Sequence, residues 1–330
     1  MNHETIYKLV KASGVSAGEL ILVHFWGEDA DKDIANHFLS AVAAQGATPV
    51  LLQQSRTINH SIFSVAAETC FDERYFEKLS GFDAVLDVFA YQPIVLGHLL
   101  EDQQRTLYRK YISTLFYKLK ECRRFTQIRI PTAANAEESG LEPEDYIQRM
   151  EAAYDVNYDA LRASCLEQVE HFRNSQKIAV HTGENCVLHI TLTGRTWHID
   201  AGDGDLPCGE IYIAPIENKT NGTVYFPVLW IDDRKYESVT LVIKDGNVIN
   251  SNLMEIRDYF ISQPTENRTI CELGIGLNPN VTGLCGYTVL DEKMSGTFHI
   301  AVGSNTMFGG CNEANCHIDF VGQGKVEVLQ

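Results

Sequence analysis

No stretch of the 330-residue sequence approaches the roughly 18 uninterrupted apolar residues that a membrane-spanning helix needs. The amino terminus, MNHETIYKLVKASG, also lacks the apolar core of an export signal, and the two absences predict a cytoplasmic protein that engages no membrane. Basic residues are scarce: 27 Lys and Arg stand against 44 Asp and Glu, a formal net charge of -17. A phosphate backbone or an anionic bilayer would repel that charge, so nucleic acid is excluded as a partner. Cysteine pairing is missing as a pattern. The nine cysteines, an odd number scattered from Cys70 to Cys316, form no disulfide framework and read as reduced thiols. There is no internal repeat, low-complexity tract or flexible linker. What is left is a globular composition, 45 % hydrophobic and 22 % charged, in a chain long enough for two packed domains.

The first half alternates between two periods. The apolar run Leu20-Ile21-Leu22-Val23 precedes a helical pattern from Asp31 through Leu39 that runs into Gly46. Further strand-like runs follow at Thr48 to Leu52, Ala84 to Phe89 and Thr126 to Ile130, with helical patterns between them. This βα alternation predicts a parallel sheet covered by helices. From Pro143 to Arg173, Tyr146, Met150, Ala153, Tyr154, Tyr158, Leu161, Cys165 and Val169 keep three-to-four spacing, which predicts one long amphipathic stretch closing the first domain. After Ser175 the segments are short and alternating, at Lys177 to His181, Cys186 to Leu192, Glu210 to Ala214 and Val239 to Ile243. Turn signals such as Asp203-Gly204 and Asp245-Gly246-Asn247 separate them. The expected fold class is α/β, with an α/β domain carrying a parallel sheet over residues 1–175 and a β-rich metal-binding catalytic domain over 176–330.

Residues able to hold metal concentrate in the last third. His317 and Asp319 lie two apart in an apparent strand and therefore share a face, where both could grip one ion; an exposed polar pair on an edge strand is the alternative. His299 sits in the apolar segment Thr297 to Gly303, where an imidazole needs a partner, either a metal or another core group. Glu210 and Glu272 each adjoin a glycine or a cysteine in apolar surroundings, and carboxylates are seldom buried without a cation. Together these two imidazoles and three carboxylates could hold a pair of divalent ions, with one carboxylate bridging and water in the open positions. Gly274-Ile275-Gly276 is only a fragment of a dinucleotide fingerprint and reads as a tight turn, so no nucleotide cofactor is expected. Cys271 and Cys316 directly precede Glu272 and His317, so an extended chain would point them away from the metal donors as small buried hydrophobes.

The segments Pro207-Cys208-Gly209-Glu210-Ile211-Tyr212-Ile213-Ala214-Pro215, Asn221-Gly222-Thr223, Glu272-Leu273-Gly274-Ile275-Gly276-Leu277-Asn278-Pro279, Asp291-Glu292-Lys293, Gly296 to Gly303 and His317-Ile318-Asp319 occur in a characteristic order and spacing. In this the sequence resembles the M29, aminopeptidase T-like, metallopeptidases, over roughly the carboxy-terminal half. The resemblance implies a metal-dependent aminopeptidase, a homodimer acting on a small peptide or related amide. Carried over, Glu210, Glu272, His299, His317 and Asp319 are the ligands of a centre of two divalent ions (zinc, cobalt, manganese or magnesium), with Glu272 or Glu210 as the base. Two departures stand out. The peptidases carry a tyrosine seven residues after the first histidine, where this chain has Thr306, and the segment between His299 and His317 is short. The sequence is also similar to ring-cleaving dioxygenases acting on dihydroxypyridines, in which His299, His317 and Asp319 would hold a single Fe(II). Retention of Glu210 and Glu272 favours hydrolysis over that reading, and over a third, a catalytically degenerate metal-binding homologue.

Overall fold

The computed structural model describes residues 1–93, 96, 99–231 and 234–329. The chain forms two compact units, Met1–Asp155 with Gly202–Pro207, and Val156–Ala201 with Cys208–Gln330. In the first, the apolar runs become parallel strands β1 (Leu20–Trp26), β2 (Thr48–Gln54), β3 (Ala84–Phe89) and β4 (Arg124–Arg129). Their order is β2-β1-β3-β4, and the two-residue strand β8 (Asp205–Leu206) extends the sheet beyond β4. All of β3 is buried, as is β1 from Ile21 onward, which is what near-continuous apolar runs produce in a sheet packed on both faces.

The helices of this unit are α1 (His3–Ala12), α2 (Lys32–Ala44), α3 (Arg56–Phe63), α4 (Glu73–Glu77), α5 (Asp102–Lys120), α6 (Ala133–Glu138) and α7 (Pro143–Tyr154). Helical spacing turns Ala35, Phe38, Ala41 and Val42 of α2 inward, and Tyr108, Tyr111, Ile112, Leu115 and Leu119 of α5. Tyr108, Leu115 and Leu119 join Leu22, Phe63 and Val85 in one core cluster, and each large apolar side chain so buried contributes about 1.5–3 kcal/mol.

The stretch from Pro143 to Arg173 is two helices, not one. The chain leaves helical geometry after Tyr154 and starts afresh as α8 (Tyr158–Phe172), because the Asn157 side chain accepts the Ala160 N–H and caps a new amino terminus. Helix α8 packs on strands of the second unit, so the division falls at Asp155 rather than at the 175/176 boundary expected from the sequence.

The second unit holds two antiparallel sheets. The six-stranded sheet contains β5 (Lys177–Thr182), β6 (Cys186–Thr191), β10 (Asn221–Ile231), β11 (Arg234–Lys244), β12 (Asn247–Ser251) and β16 (Lys325–Leu329), in the order β12-β11-β10-β6-β5-β16. Asp245 and Gly246, with φ of 48° and 78°, make the tight β11–β12 turn that the Asp-Gly-Asn signal predicts. The five-stranded sheet contains β7 (His198–Asp200), β9 (Glu210–Ile213), β13 (Ile270–Gly276), β14 (Thr297–Gly303) and β15 (His317–Gln323), in the order β15-β14-β13-β9-β7. The Phe226 ring of β10 lies 6.0 Å from that of Phe298 in β14, which joins the two layers. Helices α9 (Met254–Ser262) and α10 (Thr288–Asp291) complete the unit. Among the described residues, no helix is long and apolar enough to cross a membrane.

Gly274-Ile275-Gly276 is not a turn. All three residues lie in β13, whose seven positions are buried throughout, and the reason for the glycines is found on the neighbouring strand.

Candidate metal centre

Register places the chemistry. Glu272 of β13 faces Ala301 of β14, which faces Asp319 of β15; one step along, Gly303 faces His317, and in the other direction Gly274 faces His299. At the far edge, Glu210 of β9 pairs with Gly276 on one side and Asp200 on the other. Directly opposed residues share a face, and side chains two apart along a strand do so as well. One face of this sheet therefore carries Asp200, Glu210, Glu272, His299, His317 and Asp319, and the positions of β13 and β14 between them are glycine or alanine. The smallness is required. A Cβ on Gly274 would lie 1.9 Å from His299 Nε2, and one on Gly276 would lie 2.2 Å from the Met294 carbonyl and 2.6 Å from that of Glu292. The glycines that look like turn signals make room for the imidazole and for the loop carrying Glu292.

The donors gather into two groups, Glu210, Glu292 and His299, and Glu272, His317 and Asp319, the chosen donor atoms within each lying within 4.8 Å of one another. Glu272 links them: Oε1 is 3.3 Å from His299 Nε2 and Oε2 is 3.4 Å from His317 Nε2. His299 Nε2 is also 3.4 Å from Glu210 Oε2, and His317 Nε2 is 3.4 Å from Asp319 Oδ1. The Nδ1 of His317 lies 2.9 Å from the Ser304 carbonyl, and donation there leaves Nε2 to face the carboxylates.

Five residues named from the sequence, Glu210, Glu272, His299, His317 and Asp319, are thus brought together. Sequence reasoning missed Glu292, Lys293 and Asp200. Lys293 is 1 % exposed, and its ammonium contacts Glu210 Oε1, lies 2.8 Å from Glu292 Oε1 and 3.8 Å from Asp200 Oδ2. The acid-lysine pair at Glu292-Lys293 was visible only as part of a matching segment; nothing in its periodicity marks it as buried.

The electrostatics show an excess of negative charge. Burial pushes Glu210 up to about 8 although Lys293 opposes it, and burial raises Glu292 in the same way. Glu272 is held down at about 2: burial works against ionisation, and the contacts from His299 and His317 outweigh it. His299 rises to about 9, because the Glu272 contact and the charges of Glu210 and Glu292 overcome its burial. His317 is likewise raised well above the usual imidazole range by Asp319, Cys271 and Glu272 against the effect of burial. The protein alone meets the demand for positive charge with protons.

Metal ions fit this donor set. Imidazole and carboxylate suit borderline and hard divalent ions, and metal–ligand bonds of about 2.0–2.2 Å at near-tetrahedral angles separate neighbouring donors by about 3.4 Å. Glu210 Oε2 is buried and makes no hydrogen bond among the described residues, as expected of an oxygen reserved for a cation.

Two sequence expectations need adjusting. The β13–β14 register shifts between Ile270 and Glu272, a bulge that brings the Cys271 thiol to 3.7 Å from His317 Nδ1 instead of to the opposite face. Burial pushes that thiol up to about 11, so it packs as the neutral form. Thr306 lies exposed in the one-turn helix Thr306–Phe308. Phe308 of that turn packs edge-on against Tyr212, which stacks on His198 with ring centroids 5.2 Å apart. Tyr212 lies two residues from Glu210 on the same face of β9, and burial together with the charge of Asp200 raises its phenol.

No curated protein matches the chain. Among solved structures it is similar to wild-type AmpT from Thermus thermophilus, with a TM-score of 0.69 and 17 % identity, covering 99 % of this chain and 98 % of that one. It is also similar to the 2,5-dihydroxypyridine dioxygenase from Pseudomonas putida KT2440, with a TM-score of 0.63 and 15 % identity, covering 99 % and 93 %. At these identities the likeness establishes a shared fold. The family described as thermophilic metalloprotease (M29) matches residues 12–329, nearly the whole sequence, and the chain belongs to that family.

Proposed function

We propose that the protein is a metal-dependent aminopeptidase-like hydrolase with a centre for two divalent ions. Glu210, Glu292 and His299 hold one, Glu272, His317 and Asp319 hold the other, and Glu272 is shared. The observation that carries this is the Glu272 carboxylate, with one oxygen directed to the histidine of each donor group. When bound, such ions supply Lewis acidity toward a peptide carbonyl and toward water.

The chain's own groups do the rest. Glu272 is fully engaged between the two histidines, so its role is bridging. Glu210 keeps Oε2 without a hydrogen bond while Lys293 occupies Oε1, which leaves Oε2 as the oxygen it would offer to the ion shared with Glu292 and His299. Lys293 ties Glu210 and Glu292 in place and offsets part of their charge. The remaining surplus of carboxylate suits a substrate that arrives with a free ammonium group.

A second reading is a single-iron ring-cleaving oxygenase, as the Pseudomonas protein's title describes. Lys293 favours it, since its ammonium already supplies a cation to Glu210 and Glu292. Against it, the two histidines fall in different donor groups, and only His317 is grouped with Asp319. Elemental analysis of protein purified without added metal separates the two. About two zinc, manganese or cobalt ions per chain, with release of amino-terminal residues from dipeptide amides, supports the hydrolase. About one ferrous ion, with oxygen uptake on hydroxylated rings, overturns it.

A further inference from the structure

The first unit carries a separate polar cluster. His24, Asp87 and Gln127 stand in register on β1, β3 and β4, so their side chains leave the same face of the parallel sheet. Asp87 Oδ1 accepts the indole N–H of Trp26 at 2.9 Å, and Oδ2 accepts the Gln127 amide at 3.3 Å. His24 Nδ1 lies 2.8 Å from Asp87 Oδ1, off the axis of a good hydrogen bond, and Nε2 is buried with no hydrogen-bond partner among the described residues. His24 is 2 % exposed and Asp87 4 %, so bulk water does not serve them. Polar atoms buried this deeply are normally satisfied, and an orphan beside an under-supplied carboxylate points to a missing partner.

That row borders a cavity of about 530 Å³. Trp26, Phe89, Ile112, Leu115, Phe116 and Phe125 supply apolar, mostly aromatic walls. Exposed Ser113 and Arg109 of α5 also line it, and mark its edge. The volume falls in the range of small-molecule sites, about 300–1,000 Å³, as does the pattern of a few convergent polar groups in an apolar cleft. Every lining residue belongs to the first unit, and none is a donor of the candidate metal centre.

We propose that this cavity binds a flat, neutral aromatic molecule carrying one N–H or O–H donor. The aromatic walls receive the ring, edge-on or offset. The donor is directed to the Asp87 and His24 end, where Oδ2 has a single long bond and a carboxylate can accept about four. Arg109 at the edge disfavours a cationic ligand.

The test is saturation-transfer NMR and calorimetric titration of the full chain with indole, and with benzothiophene as the near-isosteric control lacking the N–H. Indole is expected to bind saturably and at least tenfold more tightly than benzothiophene. Ser113→Trp, at an exposed position on the edge, should weaken indole at least tenfold while melting temperature and metal content stay unchanged. His24→Leu should abolish the preference for indole over benzothiophene; if that variant does not fold, Ser113→Trp decides alone. Absence of saturable binding, equal affinity for the two probes, or indole binding indifferent to Ser113→Trp, as binding at the metal donors would be, overturns the proposal.

Discussion

Both units bury polar side chains in the middle of strands, and they do so to different ends. In the parallel sheet, the single carboxylate of Asp87 meets an imidazole, an indole N–H and an amide. In the antiparallel sheet, Asp200, Glu210, Glu272, Glu292 and Asp319 meet one ammonium and two imidazoles, and Gly274, Gly276, Ala301 and Gly303 clear the space around them. A buried polar row is therefore not in itself a metal centre. Surplus negative charge together with small neighbours sets the second row apart, because an added cation would offset the cost of keeping such charges dry beyond what Lys293 and bound protons supply.

The sharpest way to break this contrast is to remove the shared carboxylate. Glu272→Gln should lose metal from both groups and lower kcat by about 10³-fold or more, whereas Glu210→Gln should lose metal from its own group alone and cost about 10²-fold. Metal per chain and kcat measured on both variants check the division of roles, and equal metal loss would remove it. The cleared space comes next. Gly274→Ala places a methyl 1.9 Å from where His299 Nε2 lies, and the displaced ring should cost about 100-fold in activity, read against the melting curve to exclude unfolding.

The charge surplus can be read through pH. Glu210, pushed up to about 8, and His299, raised to about 9, both hold protons more strongly in the folded chain than in the unfolded one. Their contributions are complete below the unfolded values, about 4.3 and 6.5, and are lost as pH rises through 8 and 9. Metal-free protein should thus lose melting temperature on the alkaline side, while the gain on adding zinc or manganese grows from pH 6 to pH 9. A gain independent of pH would show that protons and metal do not compete for these groups. The smallest effect belongs to the first unit: Trp26→Phe deprives Asp87 of its 2.9 Å donor and should cost about 1–3 kcal/mol in urea unfolding, with metal content unchanged.

The parallel strands were legible because a sheet covered on both faces needs unbroken apolar runs, such as Leu20 to Val23 and Ala84 to Phe89. His317 and Asp319 stood out as a polar pair two apart on one strand, and Glu272 and His299 as lone polar residues inside apolar runs. The break before Asn157 was hidden, since Asp155-Val156-Asn157 has neither glycine nor proline and the helical spacing continues across it. The bulge at Cys271 depends on how β13 pairs with β14, which no local pattern encodes. Glu292 and Lys293 follow a one-turn helix outside any period, and a lysine that is 1 % exposed contradicts the ordinary habit of its residue type. Gly274 was misread for a related reason: glycine signals a turn unless one knows which side chain crosses over it.

The spread of the donors along the chain bears on how the molecule is made. A centre whose ligands come from one short hairpin can be organised by its metal while the chain is still unfolded, but here they run from Glu210 to Asp319, on β9, β13, β14 and β15 and a connecting loop. The loop-closure entropy of gathering so many distant segments falls on the sheet, before an ion finds its full set of partners. On the proposed ligand set metal would act as a late seal on finished architecture, and supplying it should slow unfolding far more than it speeds folding.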